Sequence, residues 1–176
     1  YGAFIRQEQS CINDSKMTTF WQQYLAEIVV PTINWSYDKA DSVDGLNQSR
    51  FTLDDTISQK IQAYAHKLNV TSDCIFLFIY LSVLSRFLNQ KDLTIGLVVN
   101  NRLEIAGGDD LFGLFLNTIP YRYNLGNNSI DEVIKDIYNQ KIRLYEYKGF
   151  PYAKIKELFA HDLYQFMFNY THFQIN

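Results

Sequence analysis

The sequence predicts an α/β fold in which the central strands are buried under helices. Patterns typical of helices alternate along the chain with patterns typical of strands, which indicates the α/β class. Two of the strand patterns are runs rich in apolar residues, as expected for buried strands. The 176 residues suffice for one domain, and with 8 Gly and 3 Pro the elements between turns are expected to be long.

The first predicted elements are a helix, a connection and a strand. Aromatic and apolar residues on adjoining turns predict a helix at Met17–Ala26. The polar segment Pro31–Gln48 connects this helix to Ser49–Leu53, whose alternating pattern favours a strand. Asp54 or Asp55 is expected to cap the next helix. The apolar face of that helix consists of Ile57, Ile61, Tyr64, Ala65 and Leu68.

A third helix is apolar nearly all round. Thr71 or Ser72 is expected to cap it, and the pattern continues to about Leu88. A helix of this kind is expected to be central and to contact other elements on every side. Its apolar run, Cys74–Leu84, is shorter than the roughly 18 residues that a membrane span needs. We therefore interpret it as a buried helix.

The second half of the chain begins with two predicted strands. Leu93–Val99 and Leu114–Leu125 are joined by the loop Asn100–Asp110. Ser129 and Glu132 have the spacing of a capping box, which predicts the start of a long amphipathic helix.

The last elements follow a Gly–Pro signal. Gly149–Pro151 is expected to end the long helix, because Pro cannot continue a helix. Tyr152–Phe159 is predicted to be a shorter helix, and Gln165–Tyr170 a final strand.

Composition excludes several classes of function. Lys and Arg total 16, Asp and Glu total 19, and the isoelectric point is near 5.6, which argues against a broad nucleic-acid-binding surface. Two cysteines allow at most one disulfide. The three histidines, His66, His161 and His172, have no ligand-type neighbours, so no metal site is expected. We expect a cytoplasmic protein that does not insert into a membrane.

Polar residues at two strand ends are the candidate site. The first predicted strand ends in Asn100, Asn101 and Arg102, and ligand sites in α/β proteins favour the ends of central strands. Arg102 is either a charge partner inside a cleft or a surface charge. Asn117 and Thr118 interrupt an apolar strand, where a buried amide without a hydrogen bond costs about 1–3 kcal/mol. They indicate a lined cavity, a satisfied backbone contact, or a strand that partly faces water.

Several segments resemble the motifs of one family, in the right order and spacing. The matching segments are IGLVVNNR (95–102), LFGLFLNTIPYR (111–122), FPYAKI (150–155) and YQFMFNY (164–170). They resemble the condensation domains of nonribosomal peptide synthetases. Tyr1–Phe4 and the helix FWQQYL that follows are similar to the family's preceding motif. Leu97 replaces a usual Pro and Ala153 a usual Glu, and only Ala160–Leu163 stands where the family has a longer stretch.

The resemblance implies half of a chloramphenicol acetyltransferase-like fold, with a mixed sheet covered by helices. The family's His-His-x-x-x-Asp-Gly motif is absent from the 176 residues, so residues 1–176 resemble the C-terminal half of the domain and the catalytic His is expected upstream. Arg102, with Asn101 beside it, is expected to support the active site by pairing with the motif's Asp. The expected tunnel-lining residues are Asn117, Thr118, Asn169 and Tyr170.

The implied activity is amide-bond formation between two substrates tethered to carrier proteins by phosphopantetheine arms. No cofactor is expected to bind this chain directly. The expected partners are the upstream half of the domain, the carrier proteins and a second copy through an exposed apolar face. The alternative is a non-catalytic docking or scaffold module of the same fold. An epimerase is disfavoured by IGLVVNNR, and a heterocyclising relative by FNYTHF.

Overall fold

The computed structural model describes residues 1–30, 48–103, 108 and 112–171. Within these ranges the chain forms six helices and three strands. In chain order they are α1 (Gly2–Asn13), α2 (Ser15–Tyr24), α3 (Asp55–Leu68), α4 (Ser72–Leu88), β1 (Asp92–Asn100), β2 (Leu116–Asn124), α5 (Ile130–Tyr145), α6 (Tyr152–Phe159) and β3 (Met167–Phe168). Most of Pro31–Gln48 and of the loop Asn100–Asp110 lies outside the described residues.

The three strands form one mixed sheet in the order β2-β1-β3. β1 and β2 are antiparallel, with Gly96 opposite Pro120. β3 lies parallel to β1, with Leu97 opposite Phe168. The predicted α/β class, with a mixed sheet covered by helices, is confirmed.

The central strand β1 is covered on both faces. Its odd-numbered residues Leu93, Ile95, Leu97 and Val99 are buried in the core together with residues of the helices. On the opposite face, a Cβ at Gly96 would lie 2.6 Å from the Tyr164 ring and 2.9 Å from the Thr118 methyl group. Burial of both faces explains why this strand reads as a continuous apolar run rather than an alternating one.

Two predicted helix starts are confirmed by their caps. Asp54 accepts a hydrogen bond from the backbone N–H of Thr56 at 2.7 Å. Ser129 and Glu132 exchange the reciprocal hydrogen bonds of a capping box at the start of α5. A side-chain cap of this kind is worth about 1 kcal/mol, because it satisfies backbone donors that have no partner inside the helix.

The predicted strand at Ser49–Leu53 is wrong. The segment has no regular secondary structure, and Phe51 is 89 % exposed. Its alternation has no sheet face to pack against, and no described strand pairs with it. The final strand is also shorter than the prediction, because only Met167–Phe168 pair with β1. Helix α1 precedes all the predicted elements and buries a single residue, Phe4.

One stripe of helix α4 is left uncovered by the described residues. Leu77, Leu81 and Leu84 are buried on the side that packs against β1 and α5. Ile79, Val83 and Phe87 lie four residues apart on the opposite side and are 46 %, 61 % and 65 % exposed. The expectation that neighbouring elements contact this helix on every side is therefore wrong for the described part of the chain.

The outer edge of β3 is capped by a side chain of α4. The N–H of Gly96 donates to the carbonyl of Phe166 at 2.8 Å, which leaves the carbonyl of Met167 directed away from β1. The Tyr80 hydroxyl donates to that carbonyl at 3.0 Å. Tyr80 thereby ties α4 to the edge of the sheet.

Candidate functional site

The polar groups expected at the site collect at one edge of the sheet. β1 and β3 are parallel, so their carboxyl ends lie at the same edge. Asn101 and Arg102 follow β1, Tyr170 follows β3, and β2 begins at this edge with Leu116 and Asn117. The structure therefore brings the predicted residues of all three strands to one side of the fold.

Arg102 is held in place at this edge by backbone and ring contacts. One guanidinium nitrogen donates to the carbonyl of Gly108 at 2.7 Å, and the guanidinium carbon lies 4.2 Å from the centroid of the Phe115 ring. Its backbone N–H donates to the side chain of Asn100 at 2.9 Å. A guanidinium over an aromatic face is attracted by the ring quadrupole. These contacts fix the position of the charge, and its pairing with an Asp of the family motif stays a prediction.

Asn101 joins the end of β1 to the residue before β2. It is 5 % exposed, and its backbone N–H donates to the carbonyl of Phe115 at 2.7 Å. Phe115 thus contacts Asn101 through its backbone and Arg102 through its ring. The two predicted support residues share one anchor.

Asn117 makes satisfied contacts with the backbone. Its amide nitrogen donates to the carbonyls of Lys148 at 2.8 Å and Phe150 at 2.9 Å. Its side-chain oxygen accepts from the N–H of Thr118 at 2.9 Å and from that of Tyr152 at 3.4 Å. Of the interpretations left open by the sequence, the structure shows the satisfied backbone contact. Asn117 fixes the turn between α5 and α6 against β2, and its tunnel-lining role stays a prediction.

The other predicted tunnel residues differ in their surroundings. Thr118 lies on the face of the sheet covered by Tyr164, and burial raises the pKa of Tyr164 to about 12. Asn169 is exposed. Tyr170 is 38 % exposed, and its ring centroid lies 5.5 Å from that of Phe76 on α4.

A polar cluster around Arg122 was missed by the sequence reasoning, which recognised Arg122 only as a motif residue. Arg122 forms a bidentate ion pair with Asp92, at 3.0 and 2.7 Å, and donates to the carbonyl of Ala26 at 2.8 Å. The Tyr24 hydroxyl accepts from the backbone N–H of Arg122 at 2.9 Å and donates to its carbonyl at 3.1 Å. Gln140 donates to the same carbonyl at 2.7 Å. The cluster links α2 and α5 to β1 and β2.

A cavity of about 650 Å³ lies between α3, the start of α4 and Tyr170. We call it the α3–α4 cavity. Its lining combines apolar and polar side chains from three separate segments, so no local sequence pattern marks it. The lining residues are Ser58, Ile61, Gln62, Ala65, His66, Val70, Thr71, Ser72, Asp73, Phe76 and Tyr170.

A buried lysine neutralises the acidic residue of this cavity. The Lys141 ammonium donates to the carboxylate of Asp73 and lies 3.8 Å from the Sγ atom of Cys74. The Lys141 side chain is only 7 % exposed, and that of Asp73 is 19 % exposed. Burial lowers the pKa of Lys141 to about 8, because the charged ammonium loses its hydration.

The remaining candidate groups stand apart from one another. His66 and His161 are exposed, and His172 lies outside the described residues. Among the described residues, Cys11 and Cys74 are free thiols, and no three metal-ligating side chains form a cluster.

No single helix in the described ranges combines the length and apolar composition needed to cross a membrane. Taken together, α3 and α4 have this length and composition, but the two helices are bent by 104° relative to each other.

Comparison with known proteins decides the family. The family model "Condensation domain" matches residues 1–176. This chain belongs to the condensation domain family. Gramicidin S synthase 2 of Brevibacillus brevis is 30 % identical over 111 residues, which are 62 % of this chain and 2 % of that protein. Tyrocidine synthase 2 of Brevibacillus parabrevis is 25 % identical over 150 residues, or 82 % of this chain and 4 % of that protein.

The fold of this condensation-domain chain matches solved members of the family. The first condensation domain of the calcium-dependent antibiotic synthetase, in complex with substrate analogue 3a, superposes with a TM-score of 0.74 at 12 % identity. The match covers 97 % of this chain and 39 % of that one. The family predicted from the motifs is confirmed. The chain spans about two fifths of this solved domain and a few per cent of the two synthetases.

Proposed function

We propose that this chain is part of a condensation domain that joins two carrier-protein-bound substrates through an amide bond. Family membership supports this proposal, and the observation that carries it is the anchored Arg102 at the carboxyl edge of the sheet. The 176 residues contain no His-His pair. We infer that an upstream half of the domain supplies the catalytic His, so that this chain alone is inactive.

The proposed reaction is an acyl transfer between two phosphopantetheine thioesters. The acceptor amine attacks the donor carbonyl carbon, a C–N bond forms, and the C–S bond breaks. The proton lost by the amine ends on the sulfur of the leaving arm. Both reactants are tethered, so most of the rate enhancement comes from holding amine and carbonyl at reacting distance.

Arg102 positions the catalytic motif in this scheme. A guanidinium binds a carboxylate with two parallel hydrogen bonds, which fixes orientation as well as distance. The contacts with Gly108 and Phe115 fix Arg102 at the edge where we propose that the Asp of the upstream motif binds. Near this edge, Phe112, Leu114 and Leu116 are 97 %, 72 % and 57 % exposed. We infer that the upstream half packs on these three residues.

The two arms meet at the same edge. Tyr170 lies at the α3–α4 cavity, which supports its assignment to the tunnel wall. Thr118 and Asn169 belong to the wall through their places on β2 and after β3. Asn117 supports the wall by fixing the turn between α5 and α6.

The test joins this chain to the upstream half of its domain and measures dipeptide formation between two loaded carrier proteins. Arg102→Ala is expected to lower the rate by at least about tenfold, since a charge-assisted pair worth roughly 1.5–3 kcal/mol is lost. Arg143→Ala, an exposed arginine on α5, is the control and is expected to keep the full rate. An unchanged rate in Arg102→Ala contradicts the role of Arg102. Carrier-protein binding without any amide product supports the docking-module alternative instead.

A further inference from the structure

We propose that the α3–α4 cavity binds the aromatic side chain of a tethered aminoacyl group. The inference rests on the proposed function and adds to it the class of substrate. It is carried by the position of the cavity, the two aromatic rings in its lining and the paired carboxylate of Asp73 in the same lining.

The cavity lies toward the edge of the sheet where the reacting groups are expected. α4 contacts β1 and is joined to it by three residues, so the start of α4 lies near the carboxyl end of β1. Tyr170 follows β3, which is parallel to β1. Crevices at the carboxyl ends of such strands are the usual ligand sites of α/β proteins. The cavity therefore lies on the same side of the fold as Arg102.

The size and lining of the cavity leave room for an aromatic ring. Its volume of about 650 Å³ lies within the range of ligand pockets. The rings of Phe76 and Tyr170 lie 5.5 Å apart at an interplanar angle of 31° and form one wall. Aromatic rings prefer tilted or offset contacts with further rings at such distances. Ile61 and Val70 add aliphatic surface to the lining.

The charges around the cavity disfavour an ionised side chain. Among the described lining residues, the acidic and basic side chains are Asp73 and His66. The Asp73 carboxylate is already paired with Lys141, and His66 is exposed. An anionic substrate side chain would face Asp73, and a cationic one would compete with Lys141. A neutral ring avoids both costs, because it needs no partner inside the cavity.

The experiment measures binding of three probes to the 176-residue protein by NMR. Each probe is an aminoacyl group joined to aminopantetheine by a stable amide in place of the thioester, with phenylalanine, glycine or glutamate as the amino acid. Burial of a phenyl ring is worth about 1.5–3 kcal/mol, so the phenylalanyl probe is expected to bind at least about tenfold more tightly than the other two. It is also expected to shift the ring signals of Phe76 and Tyr170.

A matched pair of variants locates the site. Ser58→Trp places an indole on the cavity lining and is expected to weaken binding of the phenylalanyl probe at least about tenfold. That loss would cancel the contribution of the probe's phenyl ring. Lys60→Trp adds the same ring at an exposed position of α3 outside the lining and is expected to leave binding unchanged. Melting temperatures check that both variants are folded, and Gln62→Trp replaces Ser58→Trp if that variant melts early.

The outcomes separate this inference from the proposed function. Equal affinity of the three probes, or a Ser58→Trp variant that binds like Lys60→Trp, overturns the aromatic site. The proposed function stands if this chain joined to its upstream half forms the amide, even when one of those two results overturns the aromatic site. Probe binding at Phe76 and Tyr170 without amide formation by the longer domain contradicts the proposed function and keeps the site.

Discussion

Replacing Asn117 tests whether its amide is a structural bond between β2 and the turn that follows α5. In Asn117→Ala the carbonyls of Lys148 and Phe150 lose their donor, and the N–H of Thr118 loses an acceptor at 2.9 Å. A net hydrogen bond is worth about 1 kcal/mol, and a half-buried group left without a partner costs more. The longer hydrogen bond from the N–H of Tyr152, at 3.4 Å, is lost as well. The three bonds shorter than 3 Å alone predict a loss of about 3 kcal/mol in the free energy of unfolding.

The assay is chemical and thermal denaturation of the purified chain. A loss of about 3 kcal/mol corresponds to a fall of roughly 6–12 °C in the melting temperature of a domain of this size. Asn124→Ala, at the exposed end of the same strand, is the control and is expected to change stability by less than about 0.5 kcal/mol. Asn117→Asp keeps the shape but points a carboxylate at two carbonyls, so it is expected to be no better than Ala.

The reasoning is refuted if Asn117→Ala melts within about 2 °C of the unmodified chain, the equivalent of roughly 0.5 kcal/mol. The residue would then contribute through contact with substrate alone, and its effect would appear in the condensation rate of the longer domain. We expect Asn117→Ala to lower both stability and the condensation rate, because Asn117 anchors the turn between α5 and α6 beside the start of β2.

Two further predictions concern packing and pH. Gly96→Ala places a Cβ 2.6 Å from the Tyr164 ring and is expected to cost about 1–3 kcal/mol in thermal melts, whereas Gly126→Ala, whose Cβ has no neighbour within 4 Å, costs almost nothing. The folded pKa of Lys141 is lowered to about 8 from 10.5, so the unfolded chain binds more protons between these values and stability rises with pH. Between about pH 7.5 and about pH 9.5, this lysine is expected to raise the free energy of unfolding by about 2 kcal/mol. Denaturation measured at both pH values should show this rise in the unmodified chain and not in Lys141→Met. An equal rise in the two proteins would contradict the burial argument.

Local signals in the sequence predicted the elements whose causes are local. The capping box of Ser129 and Glu132 involves residues three apart, and β1 is buried on both faces, so its apolar run is continuous. Ser49–Leu53 has the alternation of a strand, but pairing needs a partner that the pattern does not contain. The apolar circumference of α4 likewise does not specify which neighbours cover it.

The candidate site was predictable in residue type and unpredictable in contacts. Arg102 was recognisable as a polar residue after an apolar strand and Asn117 as one within such a strand, and the motif order identified the family. The partners of these polar groups lie far along the chain. Asn117 reaches Phe150 across 33 positions, Asp73 and Lys141 are 68 apart, and Tyr24 and Arg122 are 98 apart. Such pairings follow from the packing of elements, which one sequence does not specify.

The cap of Tyr80 on β3 has a consequence for the order of folding. The Tyr80 hydroxyl and the Met167 carbonyl are 87 positions apart, and β3 pairs with β1 through two residues only. Closing the long loop between β1 and β3 costs conformational entropy and gains few hydrogen bonds, so this pairing is expected to form slowly. β1 and β2 are close in sequence and pair over nine residues each. We expect β3 to dock last and to open first, so the N–H of Gly96, bonded to Phe166, should exchange with deuterium before the N–H groups that join β1 to β2. The proposed tunnel wall would then be assembled at the end of folding.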